Sequence, residues 1–316
     1  MISSVWVEKY RPKCIDDLIL SEKNRETIES YIEKKTIPNM TLFSPIAGVG
    51  KTSIAKMLGE MFCGNDEILF INGSLNRNID TVRNEMTDFV YKPTMEGNKK
   101  LIIIDEADGI NKIAQDSLRG FIEEWSNECS FILTCNDISK IIPALISRCP
   151  VMNLTVATGE RKDIAMQIYN RCIHILRDNM IEFEETAVQE IIKGYFPDIR
   201  QIINVLQRVS LSGDVTSKII SKQDTIKTSS IFSKLLDIIV DKNWNDMRIW
   251  VHENYDIDNV YNQIYNNLIT KIDISLLPDF IILTGEYSYR SNNTSYKEIN
   301  LAAYITEIIK EIKLNV

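Results

Sequence analysis

Residues 44–52 read Ser44-Pro45-Ile46-Ala47-Gly48-Val49-Gly50-Lys51-Thr52. They meet the phosphate-binding pattern G-x-x-x-x-G-K-[ST] at every fixed position but the first, where Pro45 stands in place of glycine. Such a loop works because successive backbone N–H groups turn inward on a polyphosphate, and the next helix adds the partial positive charge of its N-terminus. The flanks fit, with a short apolar strand predicted before the loop and an amphipathic helix over Lys51–Phe62 after it. Pro45 falls where the chain leaves the strand, a position that tolerates a φ of about −65°. Gly48 and Gly50 hold the inner positions, where backbone and phosphate come closest. The stretch therefore predicts a nucleotide site made by Gly48, Val49, Gly50, Lys51, Thr52 and Ser53. Lys51 is expected to reach the outer phosphates and the Thr52 hydroxyl to ligate magnesium.

Around the loop, short apolar runs alternate with helical patterns. Strands are predicted at Thr41–Phe43, Ile68–Ile71, Leu101–Ile104, Phe131–Thr134 and Val151–Leu154, and helices at Lys51–Phe62, Ile79–Val90 and Lys112–Trp125. The last helix is expected to turn Ile113, Phe121, Ile122 and Trp125 to the core. Short, continuous apolar strands separated by helices mean a parallel sheet covered on both faces. The strand LIIIDEAD, residues 101–108, ends in Asp105 and Glu106. An aspartate at that tip can hold magnesium through water, and a glutamate beside it can orient and deprotonate an attacking water. A buried strand followed by an acidic turn is the plainer reading of these residues, and the upstream loop weighs against it. Lys51, Thr52, Asp105 and Glu106 together predict an ATPase using ATP and Mg2+.

The bulk properties narrow the class. The chain has 316 residues, 44% hydrophobic and 25% charged, with a formal net charge of −8, the profile of a globular protein large enough for two or three units. No apolar run approaches the ~20 residues a membrane span needs. The N-terminal MISSVWVEKYRPK lacks a secretion-signal pattern, so a cytoplasmic protein is expected. Six cysteines without a Cys-x-x-Cys pair, and two histidines, offer little for a zinc site and read as small core residues in a reducing compartment. The acidic balance argues against a protein coated in positive charge, but not against a local basic stripe.

After Thr155 the strand signals stop. Thr158 is placed to cap a helix running to about Asp178, and Pro197 to open another that carries Ile202, Val205, Leu206 and Val209 on one side. Residues 211–230 are polar and poorly periodic. Helical patterning resumes at Ile231, is interrupted by YSYRSNNTSYKE, and ends in a helix to about Leu314 with a Leu301, Tyr304, Ile305 and Ile308 stripe. The expected layout is an α/β nucleotide-binding domain over 1–155, a small helical domain over 156–228 and a second helical domain over 229–316. The final stripe is expected to pack mainly within its own bundle, with a neighbouring copy as the other candidate.

Three further stretches carry a family resemblance: WVEKYRPKCIDDLI (6–19), FILTCND (131–137) and IIPALISRCPVMNL (141–154). With the phosphate loop they resemble the AAA+ ATPase subunits of sliding-clamp loaders, and most of all the T-even-type bacteriophage branch, over about residues 5–312. The resemblance implies an α/β P-loop AAA+ domain, a helical lid and an all-α collar that oligomerises. It implies that Tyr10, Arg11 and Pro12 pack around adenine, and that Asn136 is the first sensor of the γ-phosphate. It also implies that Arg200 is a second sensor acting in cis, and that Arg148 is an arginine finger entering the neighbouring subunit's site. A fixed guanidinium supplied in trans can be worth ~10³–10⁵ in rate. Each residue keeps a plainer alternative: Arg148 capping a short helix, Arg200 paired with Asp198 or other acidic neighbours, Asn136 ending its strand, and Tyr10-Arg11-Pro12 forming an extended arm.

The same resemblance implies partners: a sliding clamp, primer–template DNA held through its backbone, copies of this chain with a non-identical subunit in a pentameric spiral, and indirectly a DNA polymerase. Arg77, Arg83 and Arg119 are the expected DNA contacts, although a solvated helix face accounts for each equally well. At Leu75, Asn76 and Asn78 the chain departs from the family's acidic residues and glycine. The alternatives are a related AAA+ motor, such as a branch-migration helicase or helicase loader, and a non-catalytic scaffold of the same complex. The Ser147-Arg148-Cys149 triplet speaks against the first, and Lys51 with Glu106 against the second.

Overall fold

The computed structural model describes residues 5–74, 79–93, 99–216, 227–255, 260–269 and 271–311. The chain divides into two compact units, Met1–Ile220 and Ser221–Val316.

The first unit is built on five parallel strands, β1 (Met40–Phe43), β2 (Ile68–Asn72), β3 (Lys100–Asp105), β4 (Cys129–Cys135) and β5 (Val151–Asn153). Their order across the sheet is β2-β3-β4-β1-β5. All five lie where the apolar runs predict them, extended by a residue or two at several ends. Leu42, Ile102, Ile103, Ile104, Phe131, Ile132 and Leu133 are wholly buried, as strands covered on both faces require. The order puts β4 between β1 and β3, with Met40 opposite Ile132 and Ile104 opposite Leu133. The chain leaving β1, the acidic tip of β3 and the end of β4 thus meet at one edge of the sheet.

Helices α1 (Trp6–Lys9) and α2 (Glu22–Glu33) precede β1, and α3 (Lys51–Phe62) follows the phosphate loop. Next come α4 (Ile79–Tyr91), α5 (Lys112–Glu124) and the short α6 (Pro143–Ile146). In α5, Phe121 and Ile122 are buried but Ile113 is 76% exposed, contrary to the predicted apolar stripe. At about 100° per residue, Ile113 stands roughly 180° around the helix from Ile122, so one face cannot hold both. Asn111 caps α5 by accepting the Ala114 N–H at 2.9 Å.

Beyond β5 the unit is helical: α7 (Arg161–Asp178), α8 (Glu185–Tyr195) and α9 (Ile199–Ser210). A 3-10 turn over Thr158–Glu160 precedes α7. There the Glu160 carboxylate accepts the Ala157 N–H at 3.2 Å and closes the turn; α7 itself starts without a side-chain cap, so Thr158 does not play the expected part. Helix α8 was not foreseen in the sequence. Asp198, not Pro197, supplies the cap of α9, accepting the Gln201 N–H at 2.9 Å. The predicted stripe Ile202, Val205, Leu206 and Val209 is buried.

The second unit holds α10 (Lys227–Asp241), α11 (Trp244–Asn254), α12 (Val260–Leu268), α13 (Leu277–Asn293) and α14 (Lys297–Glu311). Leu301, Tyr304, Ile305 and Ile308 are fully buried among Phe232, Trp250, Ile264 and Phe280 of the same unit. The stripe therefore serves its own core, where each large apolar side chain contributes about 1.5–3 kcal/mol. The predicted interruption at YSYRSNNTSYKE is mostly helical, because α13 runs to Asn293. Tyr287 is buried there and donates to Glu307 at 2.7 Å, and burial pushes its phenol up to about 12. Among the described residues, no helix is long and apolar enough to cross a membrane.

Candidate nucleotide site

A cavity of about 560 Å³ opens where β1, β3 and β4 end. Its walls bring together Tyr10, Arg11, Pro12, Gly48, Val49, Gly50, Lys51, Thr52, Ser53, Asp105, Glu106, Asn136 and Arg200. Of the residues singled out above for nucleotide chemistry, Arg148 alone lies elsewhere. The volume falls in the range of small-molecule sites.

The phosphate loop takes the shape its glycines permit. Gly48 has φ +72° and Gly50 φ +97°, both in the left-handed region that side chains avoid. Gly50 caps α3 from that conformation. Pro45 is exposed and does not line the cavity, so its missing N–H is not one the cradle uses. The Lys51 ammonium donates to the carbonyls of Ser44 and Ile46, both at 3.0 Å. Of its three N–H donors, two brace the loop's mouth and one remains for a ligand. Burial holds the Lys51 ammonium below the ordinary lysine range, a trend that the Cys135, Asp108 and Asp105 side chains oppose.

Behind the loop, oxygens converge. The Thr52 hydroxyl donates to Asp105 Oδ1 at 2.7 Å, and the Thr134 hydroxyl donates to the same oxygen at 2.7 Å. Thr134 in turn accepts the Glu106 N–H at 3.0 Å. Glu106 adopts φ +54°, a conformation costly for any residue with a Cβ. One hydroxyl on β4 thereby links the Asp105 carboxylate, which it helps Thr52 to orient, with the backbone turn that presents Glu106. The hard oxygen donors of Thr52 and Asp105 suit a magnesium ion. Asp108 completes the edge, its Oδ2 accepting the N–H groups of Asn136 at 3.2 Å and Asp137 at 3.1 Å. This pins the end of β4 from which Asn136 faces the cavity.

The other end of the cavity is walled by the N-terminal segment and by α9. Tyr10 is buried, and its hydroxyl donates to Asp178 while accepting from Lys9 and Asn179, both at 2.6 Å. Arg11 pairs with Glu8 at 2.6 Å; that hydrogen bond, opposed by burial, leaves the Glu8 carboxyl below its usual range. Arg200 is exposed at the cavity rim on the first turn of α9, and its N–H donates to the Gly48 carbonyl at 3.3 Å. No ion pair joins it to Asp198 among the described contacts.

Arg148 stands outside this cavity, just beyond α6. Its NH1 donates to the Ala144 carbonyl at 2.8 Å and to Ser147 Oγ at 3.2 Å, and its NH2 pairs with Glu123 of α5. The helix-capping contact of the plainer reading is thus present, and Nε has no partner among the described residues. Arg83 and Arg119 are exposed on α4 and α5; Arg77, with Leu75, Asn76 and Asn78, lies outside the described residues.

The sequence reading missed Thr134 and Arg171. Thr134 was within reach of it: two residues before Asn136 on a strand, it must share that residue's face. Arg171 of α7 lines the cavity and gave no signal in sequence.

A parallel sheet with a phosphate loop after β1, an acid pair after β3 and a polar residue after β4 defines a P-loop nucleotide hydrolase of AAA+ architecture. The Holliday junction branch-migration motor RuvB of Thermotoga maritima shares the fold, with a TM-score of 0.53 over 73% of this chain and 79% of that one at 19% identity. A family model described as DNA polymerase III, delta subunit, matches residues 65–158. The replication factor C small subunit of Methanosphaera stadtmanae is 30% identical over 96% of this chain and 97% of its own. The sliding-clamp-loader large subunit of Enterobacteria phage T4 is 31% identical over 97% and 96%, and that of Escherichia phage RB69 is 39% identical over 68% and 67%. The chain belongs to the sliding-clamp-loader family of AAA+ ATPases. It is accordingly an ATP hydrolase, and nucleotide is its cofactor.

Proposed function

We propose that this chain is the ATPase subunit that opens a sliding clamp, sets it on primer–template DNA and releases it on hydrolysis. The observation that carries the reading is the hydrogen-bonded set Thr52–Asp105–Thr134–Glu106, standing beside a buried Lys51 in one cavity. ATP is held by the loop amides of Gly48 to Ser53 and by Lys51, with Mg2+ on Thr52 and Asp105 supplying charge neutralisation for the phosphates. Glu106 takes the proton of the attacking water, Asn136 reads the γ-phosphate, and Arg200 contacts the phosphates from α9 in the same chain. Tyr10, Arg11 and Pro12 wall the base. Residues 1–155, 156–228 and 229–316 act as the nucleotide domain, lid and collar.

Arg148 completes the site of an adjoining copy. Its position outside its own cavity, with Nε unpartnered among the described residues, supports a role across a subunit boundary. The assembly is a pentameric spiral of these chains with a non-identical subunit, serving a DNA polymerase indirectly. Arg77, Arg83 and Arg119 touch the DNA backbone; one or two such contacts per subunit sum to a salt-sensitive grip without making the chain basic.

The test is ATP turnover by the chain mixed with its clamp, partner subunit and primed DNA. Clamp- and DNA-stimulated hydrolysis is expected, lost with Lys51→Ala and lowered at least ~10³-fold with Arg148→Ala. Turnover by Arg148→Ala equal to wild type would remove the trans mechanism.

A further inference from the structure

The nucleoside end of the cavity has two walls from one loop. Tyr10 and Pro12 form the first, Leu18 and Ile19 the second. Between them the chain makes only a 3-10 turn over Ile15–Asp17, which by itself does not set how far apart the walls stand. A side chain from another helix spans them. The Arg171 guanidinium, on α7, donates from NH2 to the Tyr10 carbonyl at 2.9 Å and from NH1 to Asp17 Oδ1 at 2.6 Å. Its side chain is 15% exposed, against 26% for Asp17. Asp17 is braced in return, because Oδ2 accepts the Lys13 N–H at 3.1 Å. Burial alone would raise the Asp17 carboxyl, but the Lys13 N–H and Arg171 outweigh it and leave it below its usual range.

Other groups hold each wall singly. Arg25 of α2 donates to the Ile15 and Leu18 carbonyls at 3.2 and 2.8 Å. Gln167, one turn before Arg171, exchanges two hydrogen bonds with the Leu20 backbone. At the first wall, Asp178 and Asn179 hold the Tyr10 hydroxyl. Among the described residues, Arg171 joins the two from α7, and the Asp17 carboxylate that it holds adds a second tie through the Lys13 N–H. It sits at the apolar end, while Lys51 and Arg200 serve the phosphate end, so a cation here is not needed to neutralise phosphate.

We infer that Arg171 is a positioning residue for the nucleoside half of the ligand, a bracket whose two-pronged donation fixes the gap into which the purine and ribose fit. The inference rests on the nucleotide reading above. A planar fork suits the task better than an ammonium, because its two donating nitrogens are held rigidly apart while the N–H groups of an ammonium radiate from one atom on a flexible stem. Removing the bracket leaves the phosphate cradle intact and loosens only the nucleoside end.

The experiment compares two probes on the full-length chain, ATP and inorganic tripolyphosphate, each displacing a fluorescent ATP analogue. Arg171→Met is expected to weaken ATP about tenfold, the effect of losing one charge-assisted bracket, while tripolyphosphate changes less than about twofold. Arg171→Lys, which keeps the charge and much of the packing, should give an intermediate loss, and it decides the matter if the methionine variant does not fold. Asp17→Asn should weaken ATP in the same direction and add little to Arg171→Met. Undiminished ATP affinity in Arg171→Met or Arg171→Lys overturns the inference, as does an equal loss for both probes, which would mark a general loosening. If the wild-type chain binds tripolyphosphate but not ATP, the nucleotide reading fails first.

Discussion

Gly48 and Gly50 both carry positive φ, at +72° and +97°, yet alanine should cost very different amounts at the two. The backbone penalty is shared, about 1–2 kcal/mol for a Cβ in the left-handed region. At Gly50 nothing lies within 4 Å of an added Cβ, so Gly50→Ala stops there. At Gly48 the added carbon would stand 1.8 Å from Asp198 Oδ1, 2.6 Å from Asp198 Cγ and 3.1 Å from Arg200 Cβ. The carboxylate would have to swing away and give up its cap on the Gln201 N–H, about 1 kcal/mol. The start of α9 would then lift from the loop and lose the Arg200 N–H to Gly48 carbonyl bond, about 0.5–1.5 kcal/mol. Gly48→Ala should therefore destabilise the first unit by about 3–4 kcal/mol, roughly 2 kcal/mol more than Gly50→Ala. Urea unfolding of the nucleotide-free chain measures the difference, and hydrogen exchange at residues 198–203 shows whether it resides in α9. Adding Asp198→Ala to Gly48→Ala should recover at least ~1 kcal/mol relative to the sum of the single changes. Equal losses for the two alanine variants, or no coupling to Asp198, would show that α9 does not seat on the loop through Gly48.

Other outcomes follow from single contacts. Thr134→Val removes the hydroxyl that aligns Asp105 and Glu106; kcat of the assembled complex should fall about 10–100-fold with KM little changed, whereas Thr134→Ser should stay near wild type, and a pure KM effect would contradict the role. Gln115 is 1% exposed and serves the Ile110 and Lys140 carbonyls and the Ile142 N–H, each at 2.9 Å. Gln115→Leu leaves three backbone groups unpaired and should cost about 3–5 kcal/mol in urea titration, with a loss under 1 kcal/mol refuting it. Burial lowers the Lys51 pKa, and a bound polyphosphate favours the charged amine. ATP binding should therefore take up protons as pH approaches that depressed value, and affinity should fall as pH rises through it, below the ordinary lysine value of 10.5. Calorimetry in buffers of different ionisation enthalpy would expose the opposite sign.

What the sequence made legible was whatever is encoded locally. The loop from Ser44 to Thr52, the acidic tip of β3 and the strand ending at Asn136 are contiguous patterns, and each strand and adjoining helix carries its own periodicity. Thr134 and Arg171 escaped because their meaning is set by non-local packing. Thr134 matters only since β4 inserts between β1 and β3, and Arg171 only since α7 returns to the N-terminal segment, 161 residues from Tyr10. The errors have the same origin. Ile113 reads as core by type, yet the angle it subtends from Ile122 sends it to solvent. YSYRSNN reads as a break by its polarity, yet Tyr287 is held in a helix by Glu307, a partner from the next helix.

The geometry also bears on how the two arginine roles proposed above would divide. Asn136 faces the cavity and Arg148 stands outside it, but both belong to the one stretch that follows β4. That stretch is fixed to the β3–α5 segment at three places: Asp108 holds the N–H groups of Asn136 and Asp137, Gln115 holds Lys140 and Ile142, and Glu123 holds Arg148. Moving Asn136 independently of Arg148 would break hydrogen bonds that are buried at Gln115, each worth more broken than made because its partner would be stranded. Arg200 has no such tie, since it rides on α9 and meets the loop through one backbone bond. A shift of α9 can therefore reposition Arg200 while leaving the Arg148 guanidinium where α5 and α6 hold it. On the proposed reading, nucleotide grip and the contribution to an adjoining copy would thus be carried by separately anchored parts of one fold.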